Sequence, residues 1–407
     1  MFLFDKCVVI VLALLAIVPF RQVLQLNFGF AIFDYDELLL LVLALIFSLI
    51  MFIRGLRKEY LLYVFGVFFL FFSYAVFSVA FLDASVAQVI QQVRNFLPFL
   101  VACLALLCRL EINNTYLLKV VSFSVCVSAL TAMMLHLFFK EFIAYAFSSN
   151  KEVSDVIIKG GRMYWGSSTL VFFGFVGLFL CDKKTDRIFY FSILLVLCLG
   201  IVFTQNRTML ASVFLFYMMA KVFVERQPIR ALATPMMMGS FVLLLFFLSS
   251  SAEMRELFEK RLFVSGNTNA ELAYSLTVGR FYLYQQYYDV LRHSFPFGQG
   301  VGFPLAHAMF TDVPMYISDI SLISLVLPFG VAGLWIYFGF LYKTYVSLRP
   351  ASRLVKTRKS SELLRIMLVV AALVSLNIDM FTRNIFVVYF AVFVSIYAVS
   401  CQKDGLA

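Results

Sequence analysis

Apolar residues along this chain come in long unbroken runs, without the strict alternation of half-buried strands, and short polar or basic connections separate them. Twelve runs can be marked, at about 4–21, 38–53, 60–82, 93–110, 117–139, 163–181, 188–204, 208–224, 231–251, 319–342, 364–382 and 385–401. A helix needs about 20 predominantly apolar residues to cross the hydrocarbon core of a bilayer. Backbone groups in lipid must find their partners within a helix or within a closed barrel, and runs without alternation leave the helix. The pattern therefore predicts an all-α integral membrane protein of about 12 transmembrane helices. Two junctions are very tight, at Gln205–Arg207 and at Arg383–Asn384, and each requires a sharp turn or a helix that is broken or re-entrant.

Composition excludes a soluble alternative. Of 407 residues 63% are hydrophobic and only 14% charged, whereas a soluble domain is about half apolar and about a quarter charged. The first run, Cys7 to Phe20, follows Lys6 and has no small-residue cleavage site after it, so it reads as a retained first helix. The cysteines Cys7, Cys103, Cys108, Cys126, Cys181, Cys198 and Cys401 all lie within or at the ends of apolar runs and lack metal spacing. They read as small packing residues.

Charge sets the orientation. With the N-terminus inside, 20 of the 33 basic residues fall on cytoplasmic connections, seven of them between Lys343 and Arg365. The positive-inside rule then places both termini in the cytoplasm, and the +10 net charge needs no nucleic acid to explain it. The basic 343–365 segment is expected against the anionic inner leaflet. One long polar segment remains outside, 252–318, 67 residues long, between an N-terminal transmembrane bundle (1–251) and C-terminal transmembrane helices (319–407). Loops of this length usually carry structure and function of their own. Within it, Leu272–His293 reads as an aromatic-rich amphipathic helix, and Phe295-Pro-Phe-Gly-Gln-Gly-Val-Gly302 as a turn.

Candidate chemistry begins with arginines on the outer side, where the positive-inside bias disfavours them: Arg162, Arg207, Arg280 and Arg383. A guanidinium stays charged and donates two parallel hydrogen bonds to phosphate oxygens, which suits a diphosphate. Interfacial snorkelling is the plainer reading of such residues, and Asp379 and Arg383, four apart, are spaced to pair with one another. Tyr284 and Tyr288 offer flat faces and hydroxyls to a sugar, or else belong to an interfacial aromatic belt. Gly298, Gly300 and Gly302 would bring backbone N–H groups close to a phosphate, but without a strand–helix context a structural turn is the simpler reading. His307 and Asp319 are candidate bases, and Asp319 is equally placed to cap the tenth helix. His136, mid-span, reads as a packed histidine. Asp34-Tyr-Asp-Glu37 has the Asp-x-Asp form of a metal site but stands where a helix N-terminus favours carboxylates, and no metal is expected.

Taken in order, these features resemble the O-antigen polymerase and O-antigen ligase family of bacterial polysaccharide assembly. Gly161-Arg162 before an aromatic helix start, Thr204-Gln-Asn-Arg207-Thr-Met-Leu, and Gly279-Arg280 … Pro296-Phe-Gly298-Gln-Gly300-Val-Gly302 … Asp319-Ile-Ser-Leu-Ile … Phe329-Gly330-Val-Ala-Gly333-Leu follow that family's motif order. The resemblance implies a bacterial inner-membrane glycosyltransferase with an undecaprenyl-diphosphate-linked oligosaccharide as donor, a possible chain-length regulator as partner, and no metal or other cofactor. It implies that Arg207 and Arg280 grip the donor diphosphate, with Arg162 a third. Ligases of the family carry a His-Asn pair at the end of the loop; here Ser318-Asp319 stands there, which favours a polymerase. The alternatives are a ligase transferring glycan to lipid A core or protein, and a transporter or flippase of lipid-linked sugars. The two similar halves common in transporters are not evident here.

Overall fold

The computed structural model describes residues 3–18, 25–27, 32–139, 163, 165–181, 184–204, 206–228, 292, 296–301, 321–351, 358–376, 380–382 and 384–403. These residues form a helical membrane protein. In order they are α1 (Leu3–Ile17), a two-stranded antiparallel hairpin of β1 (Gln25–Asn27) and β2 (Ile32–Asp34), α2 (Tyr35–Arg54), α3 (Lys58–Phe81), α4 (Val86–Asn95), α5 (Leu97–Leu107) and α6 (Asn114–Phe138). Next come α7 (Val171–Leu180), entered through a 3-10 turn at Ser168–Leu170, α8 (Lys184–Thr204), and α9 (Arg207–Met219), prolonged by a π turn at Ala220–Val224. The last four are α10 (Ser321–Phe329), α11 (Val331–Ala351), α12 (Arg358–Val374) and α13 (Phe386–Lys403). By length and composition α2, α3, α6 and α8 can each cross a membrane alone, and α4 with α5 makes a fifth candidate bent by 59°.

The chain divides into two compact units. The first comprises 1–15, 36–118 and 283–407. One end of it collects cations expected on the cytoplasmic connections. Arg54 at the close of α2 makes a two-pronged ion pair with the fully buried Asp5 of α1 (3.0 and 2.8 Å) and donates to the carbonyl of Arg109 (2.9 Å). Arg57, itself buried, bonds Glu59 (2.9 Å) and lies over the ring of Tyr60, and its backbone N–H donates to the Leu107 carbonyl. Lys343 of α11 reaches the carbonyl of Glu59 (3.5 Å). The ends of α2 and α5, the start of α3 and the middle of α11 are thus linked by charge-assisted hydrogen bonds, which are roughly twice as strong as neutral ones.

Three expected spans are divided. The run at 93–110 is the second limb of the α4–α5 pair. Ser85 caps α4 in a reciprocal box with Gln88 (3.2 and 2.9 Å). Pro98, in the first turn of α5, has no N–H to bond the previous turn, so the helix breaks at Phe96. The run at 319–342 is two helices, not one. After Pro328, Gly330 adopts φ +56°, a conformation costly for side chains with a Cβ, and the chain reverses. α10 then lies antiparallel to α11: Ser321 at its start meets the backbone of Met380 and Phe381, and the Phe381 ring touches Tyr337 and Phe340 of α11. The run at 364–382 becomes α12, which stops at Val374 and leaves 380–382 non-helical before α13.

This last break lies deep. Ser395 of α13 bonds the carbonyl of Cys108, near the basic end (2.5 Å). Phe386 opens α13 nine residues earlier, which at the helical rise is ~14 Å, close to half of a bilayer's hydrocarbon thickness. Met380 and Phe381 are buried, so backbone freed there needs a partner within the protein. The Ser321 hydroxyl oxygen accepts from both the Met380 and Phe381 N–H groups (2.8 and 3.1 Å), so α10 and the α12–α13 break satisfy each other.

The second unit comprises 16–35 and 119–282. Close helix approaches build it. A Cβ on Gly177 of α7 would lie 2.2 Å from the Tyr190 ring of α8, and one on Gly200 of α8 would lie 3.0 Å from the Trp165 ring. Phe216 of α9 sits edge-on to Phe172, Phe175 and Phe179 of α7, and Lys119 of α6 pairs with Asp186 of α8 (3.0 Å).

The Asp5–Arg54 pair gives a direct test of the basic end. Asp5→Ala strands a guanidinium that is 15% exposed, and loss of one partner of such a pair costs about 3 kcal/mol. Unfolding of the purified protein in detergent should register that loss, and Arg54→Met in the Asp5→Ala background should recover part of it. An unchanged midpoint for Asp5→Ala would remove the pair from the framework.

Candidate functional site

Residues adjoining two motifs singled out in the sequence are hydrogen-bonded to each other in the second unit. Met163, the residue after Arg162, donates its backbone N–H to the carbonyl of Phe203 (3.1 Å), four residues before Arg207. The contact is held from below by Trp165, 4% exposed, whose indole N–H donates to Ser128 Oγ of α6 (3.1 Å) while its ring covers Gly200. Ser167 then donates its hydroxyl to the carbonyl of Ala16 (3.1 Å). Met163 and Trp165, both buried, therefore seat this segment against α6 and α8.

The Thr204–Arg207 junction has its own local logic. The Thr204 hydroxyl donates to the Ile201 carbonyl (2.7 Å) and accepts from the Asn206 N–H (3.4 Å), closing α8. Asn206 is the N-cap of α9, its Oδ1 accepting from the Met209 N–H (3.1 Å). One residue thus ends a helix and another opens the next, so the tight turn expected at 205–207 is two capped helices. Arg207 is the first residue of α9. No cap requires a cation there, and the aligned peptide dipoles put about half a positive charge at a helix N-terminus, which disfavours one. Backbone N–H groups of a helix start beside a guanidinium make a setting suited to phosphate. Of Arg207 the structure describes the backbone alone. Arg162, Arg280, Tyr284, Tyr288, His307 and Asp319 lie outside the described residues, as do Asp379 and Arg383.

In the first unit the glycine-rich turn takes its simpler reading. Gln299 N–H donates to the Leu327 carbonyl (2.8 Å), Gly300 N–H to the Pro328 carbonyl (3.0 Å), and Val301 N–H to Ser78 Oγ (2.7 Å). In return Val331 N–H donates to the Pro296 carbonyl (3.0 Å). The Gln299, Gly300 and Val301 amides are used to hold the turn on the α10–α11 junction and on the end of α3, and Gly302 lies outside the described residues. Gly298 and Gly300 have φ +78° and +84°, and a Cβ on Gly298 would lie 2.4 Å from the Gly330 nitrogen. The long 252–318 segment is therefore anchored in its second half at a fixed point of the first unit.

Of the acidic stretch, Asp36 and Glu37 lie in the first turn of α2, where carboxylates complement the helix dipole. Glu37 also forms a two-pronged pair with Arg94, near the end of α4 (3.0 and 2.5 Å). Sequence reasoning passed over Arg94, whose partner is 57 positions away; its place one turn before the Pro98 break was the available signal. It also passed over Ser321, which reads as one more apolar-span serine until the break it serves is seen. His136 is buried on α6, as a packed histidine would be.

Gly298→Ala and Gly300→Ala should each lower the unfolding midpoint in detergent, since left-handed backbone and the close approaches add roughly 1–3 kcal/mol of strain per site. Ser78→Ala, which removes only the acceptor for Val301, should cost less. Glycine variants with wild-type midpoints would show that the turn is not the anchor.

Comparison with protein-family models finds none that matches this chain, and no curated protein is similar enough to count as a relative.

Proposed function

We propose that this protein is a polymerase of lipid-linked glycans: a metal-independent glycosyltransferase of the bacterial inner membrane that joins undecaprenyl-diphosphate-linked oligosaccharide repeats on the periplasmic face. The reading rests on one observation above the others. Arg207 opens α9 at a helix N-terminus, where its charge has no capping use, and the segment following Arg162 is hydrogen-bonded to the close of α8 beside it. A diphosphate answers both features.

In this proposal Arg207 and Arg280 hold the donor diphosphate and Arg162 assists. The periplasm has no nucleotide sugars, so the donor must arrive already activated on a lipid. Transfer breaks the bond between the anomeric carbon and the diphosphate, and negative charge grows on the departing phosphate oxygen. Fixed guanidinium groups stabilise that charge more in the transition state than in the bound donor. The acceptor hydroxyl must lose its proton as it attacks, and Asp319 or His307 takes that role. Tyr284 and Tyr288 present faces to the sugar rings. The broken helices of the first unit support the reading in a general way, because irregular backbone at membrane depth belongs where it is enclosed by protein or lines a cavity.

The test is elongation by the purified full-length protein supplied with the lipid-linked repeat alone. Wild-type protein should convert the repeat into longer lipid-linked chains. Arg207→Ala should slow elongation by roughly 100-fold or more, with unchanged membrane insertion and thermal midpoint, and Arg207→Lys should recover part of the rate. Failure to lengthen the repeat, followed by transfer once a lipid A core acceptor is added, would replace the polymerase with a ligase. Wild-type chain lengths in Arg207→Ala would remove the diphosphate role from that residue.

A further inference from the structure

The α11–α12 hairpin carries a charged surface that glycan transfer does not use. Its two helices contribute five basic side chains, Lys343, Arg349, Arg358, Lys359 and Arg365, against one acidic, Glu362. The hairpin is closed by the Ser361 hydroxyl on the Leu348 carbonyl. That contact sets Arg365 of α12 opposite Tyr345 of α11, and the Arg365 Cζ lies 4.1 Å from the centre of the tyrosine ring. Arg365 is thus in cation–π contact with the ring. Its Nε is buried and, among the described residues, has no hydrogen-bond partner. A buried donor left without an acceptor costs more than an ordinary hydrogen bond returns, so an acceptor belongs there.

The surroundings indicate its chemistry. Arg349 follows Tyr345 by one turn on the exposed face of α11, and Arg358, Glu362 and Arg365 recur at spacings of four and three along one face of α12. Glu362 is engaged by Arg358 (2.9 Å), so it does not neutralise Arg365. Away from the hairpin's closed end the same exposed surface turns apolar, with Tyr342 on α11 and Val369 and Leu373 on α12. Cations over about two turns and exposed apolar residues beyond Arg365 match a phosphate joined to acyl chains. A free phosphate would use the first feature and leave the second without purpose.

We propose that the groove between α11 and α12 binds an anionic phospholipid, its phosphate on the Arg365 fork beside Arg349 and its chains along Val369 and Leu373. The inference needs only that these helices lie in a bilayer and is independent of the polymerase reading. Basic grooves between transmembrane helices are a recurrent setting for such headgroups, each nearby cation contributing roughly fivefold in affinity.

Full-length protein purified in detergent, incubated with phosphatidylglycerol or phosphatidylcholine and examined by native mass spectrometry, provides the test. Wild-type protein should retain phosphatidylglycerol and not phosphatidylcholine. Arg365→Gln should lower that retention roughly fivefold, and Arg349→Gln in the same chain should lower it further. If Arg365→Gln fails to fold, Glu362→Gln decides the matter, because removing the one carboxylate of this face should raise retention roughly two- to fivefold. Inorganic phosphate at millimolar concentration should not displace the lipid. Equal retention of the two lipids, unchanged retention in Arg365→Gln and Glu362→Gln, or displacement by inorganic phosphate would each overturn the proposal.

Discussion

Backbone amides and carbonyls inside a bilayer cannot turn to water, so every interruption of a helix must be met by a partner supplied from elsewhere in the protein. The first unit is organised around three such interruptions. At Phe96 the break forced by Pro98 is preceded by a helix with its own capping box at Ser85 and Gln88. At Gly330 the reversal is sealed by exchange of backbone bonds with the 296–301 turn, in both directions. Between α12 and α13 the freed N–H groups of Met380 and Phe381 are taken by Ser321, the residue that opens α10. The last two breaks each depend on a segment distant in sequence, whereas the first follows from Pro98 itself.

Charge imposes the second constraint. Basic residues of the short connections gather at one end of the first unit, where Asp5 and Glu59 and the carbonyls at the close of α5 receive them. The α11–α12 hairpin adds Arg349, Arg358, Lys359 and Arg365. The same preference that orders the topology therefore leaves a surface suited to anionic lipid, while the arginines assigned to a diphosphate stand where that preference gives no account of them.

Much of the architecture was legible in the apolar runs. The runs near 38–53, 60–82, 117–139 and 188–204 became α2, α3, α6 and α8 with small changes at their ends, because a run long enough to span is its own sufficient signal. The carboxylates of 36–37 at the start of α2 were legible for a similar reason, since a helix dipole acts locally. Runs containing Pro98, Pro328 or Gly330 were misread as continuous spans. Hydropathy averages over a window and does not register a missing N–H or a left-handed residue. Of the candidate site, the identity of Thr204-Gln-Asn-Arg207 was visible, but the division of labour between the Thr204 hydroxyl and the Asn206 side chain was not.

By itself the sequence determined the helical class, the membrane character and the positions of four long spans, because transfer into lipid is a property of each residue summed along a run. It also named the arginines that a topology rule leaves unexplained. Only the tertiary structure decided which helices are broken, that the glycine turn spends its amides on α10 and α3, that the Met163 and Phe203 segments lie side by side, and that Arg365 stacks on Tyr345. Those outcomes depend on pairings between residues tens to hundreds of positions apart, and a pairing energy has no counterpart in either partner taken alone.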